Sequence, residues 1–346
     1  MSDYKLLKQL VKFNTIKDKD NKKIINFIEN YLLDLGFKTE YKEKSLIMSY
    51  GENPSVGFLG HTDTVEYIEG WDTNPFELTE KDGKLFGLGA CDMKGGIAAM
   101  LDAVSCIDLS TIKNGIKLYF TDDEEIGFGG IYKLVEIEKK FPKLMIFGEP
   151  TNNEILVGSK GLLEFELDFK GVKAHSSNPE KGKSANMNAV KFLIELEDFY
   201  KENIRKDENK NYEIPYTTMN VGIINGGSAK NSVSASCNVM MDFRTIKNKH
   251  TESIIKKVNK LSKIYECDVK IIEKVDPFIN ETDLAAETKT ANFITEASFV
   301  KAQTKIILGP GPVTAHEVNE YITEESYEKL VKQYTQILEK MCITKR

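Results

Sequence analysis

Apolar residues in Leu6 to Phe13 and Lys22 to Leu35 recur at helical spacing, so the chain is expected to open with two amphipathic helices. Short apolar runs then alternate with helical ones. Ser45 to Tyr50, Ser55 to Gly60, Gly115 to Thr121 and Leu144 to Phe147 read as strands, and Met93 to Ile107 and Gly130 to Lys139 as helices. Such alternation predicts an α/β fold with a mostly parallel sheet covered by helices. The middle of the chain changes period. Leu163-Glu164-Phe165-Glu166-Leu167-Asp168-Phe169 alternates strictly, the pattern of a half-exposed strand in Leu162 to Gly171. A helix is expected from Ala185 to Tyr200, then a polar loop at Lys201 to Asn211. Strands follow at Thr217 to Asn225 and Ser232 to Thr245, a helix at His250 to Ile264 and a strand at Cys267 to Ile272. This order, βαββαβ, is that of a ferredoxin-like α+β unit. The expected organisation is therefore a catalytic domain of residues 1–160 and 274–346, interrupted by an inserted domain of residues 161–273. The resumed domain is expected to contain a helix at Leu284 to Ala297, a strand at Lys305 to Leu308 and a closing helix at Glu324 to Lys340.

Bulk properties narrow the function. The 346 residues carry 47 basic and 53 acidic side chains, a net charge of −6, which disfavours a nucleic-acid partner. No apolar run approaches membrane-spanning length, and Met1 to Lys12 lacks a signal-peptide pattern, so the cytoplasm is the expected compartment and no membrane partner is expected. Five cysteines, Cys91, Cys106, Cys237, Cys267 and Cys342, form no C-x-x-C pair, which speaks against a disulfide framework or a thiolate metal site.

The chemistry gathers behind the strands. His61 and Asp63 follow one predicted strand, Asp122 to Glu125 a second and Glu149 a third. His316 follows a fourth after a glycine-proline loop. In open parallel sheets the ligand crevice lies at the carboxyl ends of the strands. Several carboxylates in one crevice repel each other unless cations compensate them. Histidine and carboxylate without thiolate suit zinc or a similar first-row ion, and the surplus of acids suggests two ions sharing a bridging carboxylate. Gly87-Leu88-Gly89-Ala90-Cys91-Asp92 begins like a dinucleotide loop, but Asp92 stands where the third glycine belongs and no P-loop lysine follows, so nucleotide binding is rejected. On residue type alone, His175 reads as a strand-end residue, Asn231 as a turn former, Arg244 as a surface cation, and His250 as a surface residue.

An ordered set of motifs runs through nearly the whole chain. It comprises Gly60-His61-Thr62-Asp63-Thr64-Val65, Gly89-Ala90-Cys91-Asp92-Met93-Lys94-Gly95-Gly96, Thr121-Asp122-Asp123-Glu124-Glu125 and Gly148-Glu149-Pro150. Ala174-His175-Ser176-Ser177, Asn231-Ser232-Val233, Asp242-Phe243-Arg244 and Gly309-Pro310-Gly311 with Ala315-His316 complete it. In this set the chain resembles the zinc amidohydrolases related to aminoacylase and glutamate carboxypeptidase, and within them the bacterial enzymes that deacetylate N-acetylornithine. The resemblance implies two Zn(2+) ions, with Co(2+) or Mn(2+) as substitutes, bridged by Asp92. One ion would also be held by His61 and Glu149, the other by Glu125 and His316. It further implies Glu124 as general base, Asp63 as the residue orienting His61, and an inserted lid and dimerisation domain. In that lid His175 would serve as oxyanion donor, and Asn231 and Arg244 as substrate contacts. The implied reaction is hydrolysis of the amide bond of an N-acyl amino acid. N-acetylornithine is the best single candidate, succinyl-diaminopimelate and dipeptides are alternatives, a non-catalytic metal-binding protein on the same fold is the reading from another class, and a homodimer is the implied assembly. Asn319 departs from the aspartate frequent at its place in that family.

Overall fold

A computed structural model describes residues 3–16, 21–285 and 287–343. The chain begins with α1 (Lys5–Lys12) and α2 (Lys22–Asp34), which bury Leu6, Leu7, Leu10 and Val11, and Ile24, Ile25, Ile28 and Leu32, the apolar stripes that their spacing dictates. Strands β1 (Lys38–Lys42), β2 (Leu46–Tyr50) and β3 (Val56–His61) follow, then the short β4 (Thr79–Lys81) and β5 (Lys84–Phe86). Helix α3 (Lys94–Cys106) is buried almost all round. Beyond it come β6 (Ile116–Thr121), α4 (Gly129–Ile137) and β7 (Leu144–Phe147).

The middle segment contributes β8 (Gly158–Ser159), β9 (Gly161–Lys170), α5 (Ala185–Asn203), β10 (Thr218–Gly226), β11 (Ser236–Thr245), α6 (Asn248–Tyr265), β12 (Cys267–Val275) and β13 (Phe278–Ile279). The chain closes with β14 (Thr304–Ile307), β15 (Tyr321–Thr323) and α7 (Glu324–Cys342). No helix among the described residues is long and apolar enough to cross a membrane.

Two compact units result. The first comprises the described residues of Met1–Val157, Asn280–Glu287 and Thr295–Arg346, the second Gly158–Ile279 and Thr288–Ile294. In the first, a six-stranded sheet has the order β1-β2-β6-β3-β7-β14. The pairs β6/β3, β3/β7 and β7/β14 are parallel, while β1 and β2 add an antiparallel flank. The central strands β3, β6 and β7 are buried at every position, as a sheet covered on both faces requires. A small antiparallel sheet, β15-β5-β4, completes this unit.

The second unit is a ferredoxin-like βαββαβ sandwich with an antiparallel sheet ordered β10-β11-β9-β12. Its alternation is realised residue by residue. Leu163, Phe165, Leu167 and Phe169 face an apolar core under α5 and α6, whereas Asp168 and Lys170 are exposed. Edge-to-face ring pairs Phe165–Phe243 and Phe169–Phe192 lie in that core, at centroid separations of 6.3 and 5.3 Å. Pairs of this kind contribute about 0.5–1.5 kcal/mol beyond the area they bury.

Three expectations are corrected. Leu284 to Ala297 is not helical: outside residue 286, which lies beyond the described residues, it is irregular and ends in a short 3-10 turn at Glu296–Ser298. Its backbone is committed elsewhere. Ala291 N–H donates to Gly158 C=O and Ala291 C=O accepts from Lys160 N–H, and the Thr295 hydroxyl caps the turn by accepting from Ala297 N–H, an alternative to helix that threonine favours. The polar loop begins later than Lys201, because α5 continues to Asn203. His250 is buried rather than on the surface. Its Nδ1 lies 2.7 Å from Thr217 Oγ1 and its Nε2 3.1 Å from an oxygen of Asp207, so the polar loop supplies a partner that lets the imidazole go inside.

Candidate metal centre

The parallel strands β3, β6, β7 and β14 point their carboxyl ends to one edge of the sheet, and the expected acids and imidazoles collect there. His61 is the last residue of β3 and Asp63 lies two residues beyond. Glu124 and Glu125 follow β6 on a tight turn with Asp123 at φ 63°, and Glu149 is two residues past β7. Asp92 arrives separately, just before α3. That helix comes close because it carries glycine where it meets the sheet. A Cβ on Gly96 would sit 2.2 Å from the Gly148 carbonyl oxygen.

Asp92 occupies the middle of the cluster. Its Oδ1 is 3.1 Å from His61 Nε2, and its Oδ2 is 3.6 Å from His316 Nε2. Glu149 stands 3.9 Å from the same nitrogen of His61, and Glu125 3.1 Å from that of His316. The ligand atoms of His61, Asp92 and Glu149 all lie within 4.8 Å of one another, as do those of Asp92, Glu125 and His316. The two triads share one residue, whose two oxygens face different imidazoles. His61, Glu124 and Glu125 form a third group within the same span.

Electrostatics agree with a cation-binding role. Burial pushes Glu149 well above the usual carboxylate range, and the charge of Asp92 adds to the rise. Burial does the same to Glu124, opposed by His61 and reinforced by Glu296 and Asp92. For His61 burial opposes charge, but hydrogen bonds to Asp63 and Asp92 outweigh it and raise its pKa well above the imidazole value. The hydrogen bond to Glu125 raises His316 to about 9. Acids that resist ionisation beside imidazoles that resist neutrality are groups a divalent cation would relieve in one step. The donor set of two imidazoles and three carboxylates fits first-row divalent ions.

The surroundings fix these side chains. His61 Nδ1 is 3.1 Å from the Asp63 carbonyl oxygen, which leaves Nε2 for a ligand role, and Asp63 in turn accepts the Glu125 N–H at 3.1 Å. Three further residues support the centre, and two of them, Glu320 and Glu296, had no sequence signal. Glu320, buried, accepts the N–H groups of Gly89, Cys91 and Asp92 at 2.9, 2.7 and 3.0 Å. Burial raises it to about 7 against the pull of those amides. Lys94, wholly buried, donates to the Phe13 carbonyl at 2.7 Å, and burial draws its ammonium down to about 7. Glu296 takes the Thr121 hydroxyl at 2.9 Å, and burial lifts it to about 8.

His175, Asn231 and Arg244 belong to the second unit. His175 is exposed, with Nδ1 2.8 Å from the Ser177 hydroxyl. Ser176 N–H donates to Asn231 C=O at 3.0 Å, so the first two share one corner. Arg244 lies on β11, paired with Asp242 at 3.1 Å.

A family model described as Peptidase family M20/M25/M40 matches residues 57–340. The acetylornithine deacetylase of Pasteurella multocida (strain Pm70) is 31% identical over 361 residues, covering 94% of this chain and 92% of that protein. A tripeptidase structure from Staphylococcus aureus superposes with a TM-score of 0.79 at 21% identity, covering 97% of both chains. The YXEP protein of Bacillus subtilis, described as a dinuclear metal binding peptidase, superposes with a TM-score of 0.71 at 12% identity over 97% of both chains. At these identities the two structures speak to the fold.

Proposed function

Because the chain belongs to the M20/M25/M40 peptidase family and is therefore a metal-dependent hydrolase, we propose that it removes the acetyl group of N-acetylornithine. The products are ornithine and acetate. The reaction class rests on Asp92, whose two oxygens address two imidazole and carboxylate pairs. The substrate rests on the nearly full-length likeness to acetylornithine deacetylases.

In this reading two zinc ions would be held, one by His61, Asp92 and Glu149 and one by Asp92, Glu125 and His316. Bound divalent ions supply Lewis-acid polarisation of the amide carbonyl and ease deprotonation of the attacking water. Glu124 is the general base. Its burial and its place beside the ligand atoms suit a carboxylate that takes a proton from water as the C–O bond forms. Glu124 then returns that proton to the ornithine nitrogen as the C–N bond breaks. Asp63 holds His61 in the tautomer that presents Nε2. His175 is assigned the donation to the developing oxyanion, and Asn231 and Arg244 the binding of substrate. A guanidinium fork matches an α-carboxylate in two parallel hydrogen bonds. The second unit is read as a lid and as the contact for a homodimer, supported by the edge position of β10 and the exposure of Ile223 and Ile224 on it. The cytoplasm is the proposed compartment.

The test is a steady-state comparison of the zinc-loaded chain on N-acetylornithine, succinyl-diaminopimelate and several dipeptides. The largest kcat/KM is expected for N-acetylornithine. Equal or faster turnover of another substrate overturns the assignment and leaves the hydrolase class standing.

A further inference from the structure

We propose that Glu320 is a positioning residue for the metal centre: by gripping the backbone of Gly89, Cys91 and Asp92 it sets Asp92, the ligand that both ion sites share, and ties it to the loop that carries His316. This rests on the two-ion reading above.

The geometry begins with a short ladder. Tyr321 of β15 pairs with Phe86 of β5, and the Gly87 N–H extends the pairing to the Glu320 carbonyl at 3.1 Å. Glu320 and the loop leading to Asp92 therefore leave the ladder side by side. That loop, from Gly89 to Asp92, turns around the Glu320 side chain. Oε2 takes the Gly89 N–H, and Oε1 takes those of both Cys91 and Asp92. A φ of +79° at Gly89 makes the turn, and a Cβ there would meet the Thr64 methyl at 2.8 Å. One carboxylate thus satisfies three amides that helix and sheet leave unused.

The other side of Glu320 leads to His316, four residues earlier. His316 is exposed, so packing around its ring does not fix it. Its loop is closed instead. The Thr314 hydroxyl donates to the Tyr321 carbonyl at 2.7 Å and accepts the Tyr321 N–H at 3.0 Å. Asn319 accepts the Asp72 N–H at 2.8 Å and donates to the Asp72 carboxylate at 2.9 Å. This small closed loop is docked on the Asp92 segment through Glu320. Residues that orient metal ligands change metal affinity by about 10–100-fold when replaced. His61 ends β3 and Glu149 follows β7, so in their triad it is Asp92 that depends on this contact.

The experiment is cobalt(II) titration of the full chain stripped of metal, followed by calorimetry and by visible absorption. The unaltered chain is expected to take up two ions. In Glu320→Gln both steps weaken by about 10–100-fold, because an amide offers only one acceptor oxygen to three N–H groups and Asp92 serves both ions. The cobalt spectrum fades with the weakened binding, and excess cobalt restores turnover. Either step staying within about threefold of the unaltered chain overturns the proposal. Should Glu320→Gln fail to fold by circular dichroism, Thr314→Val carries the test, since it opens the loop between Glu320 and His316 and leaves Glu320 in place. A loss confined to one step is expected, since His316 belongs to one triad, and unchanged binding in both steps overturns the coupling. An unaltered chain that binds fewer than two ions contradicts the two-ion reading instead.

Discussion

Glu124 and Glu125 are neighbours in sequence, yet the turn after β6 gives them different work. Glu125 pairs with His316, whereas Glu124 stands near His61 without a hydrogen-bonded cation partner among the described contacts. Glu124→Gln is therefore expected to lower kcat by about 10²–10⁴-fold while metal content stays at the level of the unaltered protein, measured by turnover and elemental analysis side by side. His250 makes a different prediction. Burial lowers its pKa below 6.5, against the pull of Asp207. The unfolded chain then takes up the proton first, so stability holds above pH 6.5 and falls as the pH drops from there toward the folded value. His250→Gln should flatten that acid-side slope in urea unfolding followed across pH 5–8. Residue chemistry of these two kinds was unequally legible. An acid that follows a strand carries a positional signal, so Glu124, Glu125 and Glu149 could be selected from sequence. Glu320 carries none, since its partners are backbone amides more than two hundred positions away and any residue type supplies those. The burial of His250 is hidden for a related reason: its partner Asp207 lies in a loop with no periodic pattern.

At the level of elements, the contact between α3 and the end of β7 does the most. Gly96 and Gly148 let a helix and a strand end approach backbone to backbone, and each is followed or preceded within a few residues by a ligand, Glu149 or Asp92. Gly96→Ala adds a methyl group that has no room. Helix propensity favours alanine by about 1 kcal/mol, but overpacking costs about 1–3 kcal/mol, and the displacement falls on both Asp92 and Glu149. Lower metal occupancy together with a lower melting temperature is expected, and normal occupancy would show that the helix can shift without moving Asp92. The long periodic elements were readable because burial on one face enforces their pattern. The short strands β4, β5 and β15 were not, being three residue pairs long and partly exposed. Leu284 to Ala297 shows the converse: a plausible helical spacing yields when Ala291 finds strand-like partners in Gly158 and Lys160.

For the molecule as a whole, the candidate ligands His61, Asp92, Glu125, Glu149 and His316 all fall in the first unit, and the second has its own apolar core. An ion kept at about a hundred times its Kd stabilises what binds it by about 2.7 kcal/mol. Scanning calorimetry with and without a chelator should thus move one transition downward on metal removal and leave the other in place. A single transition that moves as one would mean the units melt together. The division also bears on descent. Where the second unit leaves and re-enters, Gly158–Ser159 runs beside Phe278–Ile279, and the Val157 carbonyl accepts the Asn280 N–H at 2.7 Å. Save for the Thr288–Ile294 strap, that unit is threaded in through a neck already closed by hydrogen bonds. A cassette whose ends meet at strand spacing, about 5 Å, can be spliced into such a neck or removed from it without disturbing the ion-holding edge. Exchange of such a module would keep the five candidate ligands of the first unit and would replace His175, Asn231 and Arg244 together.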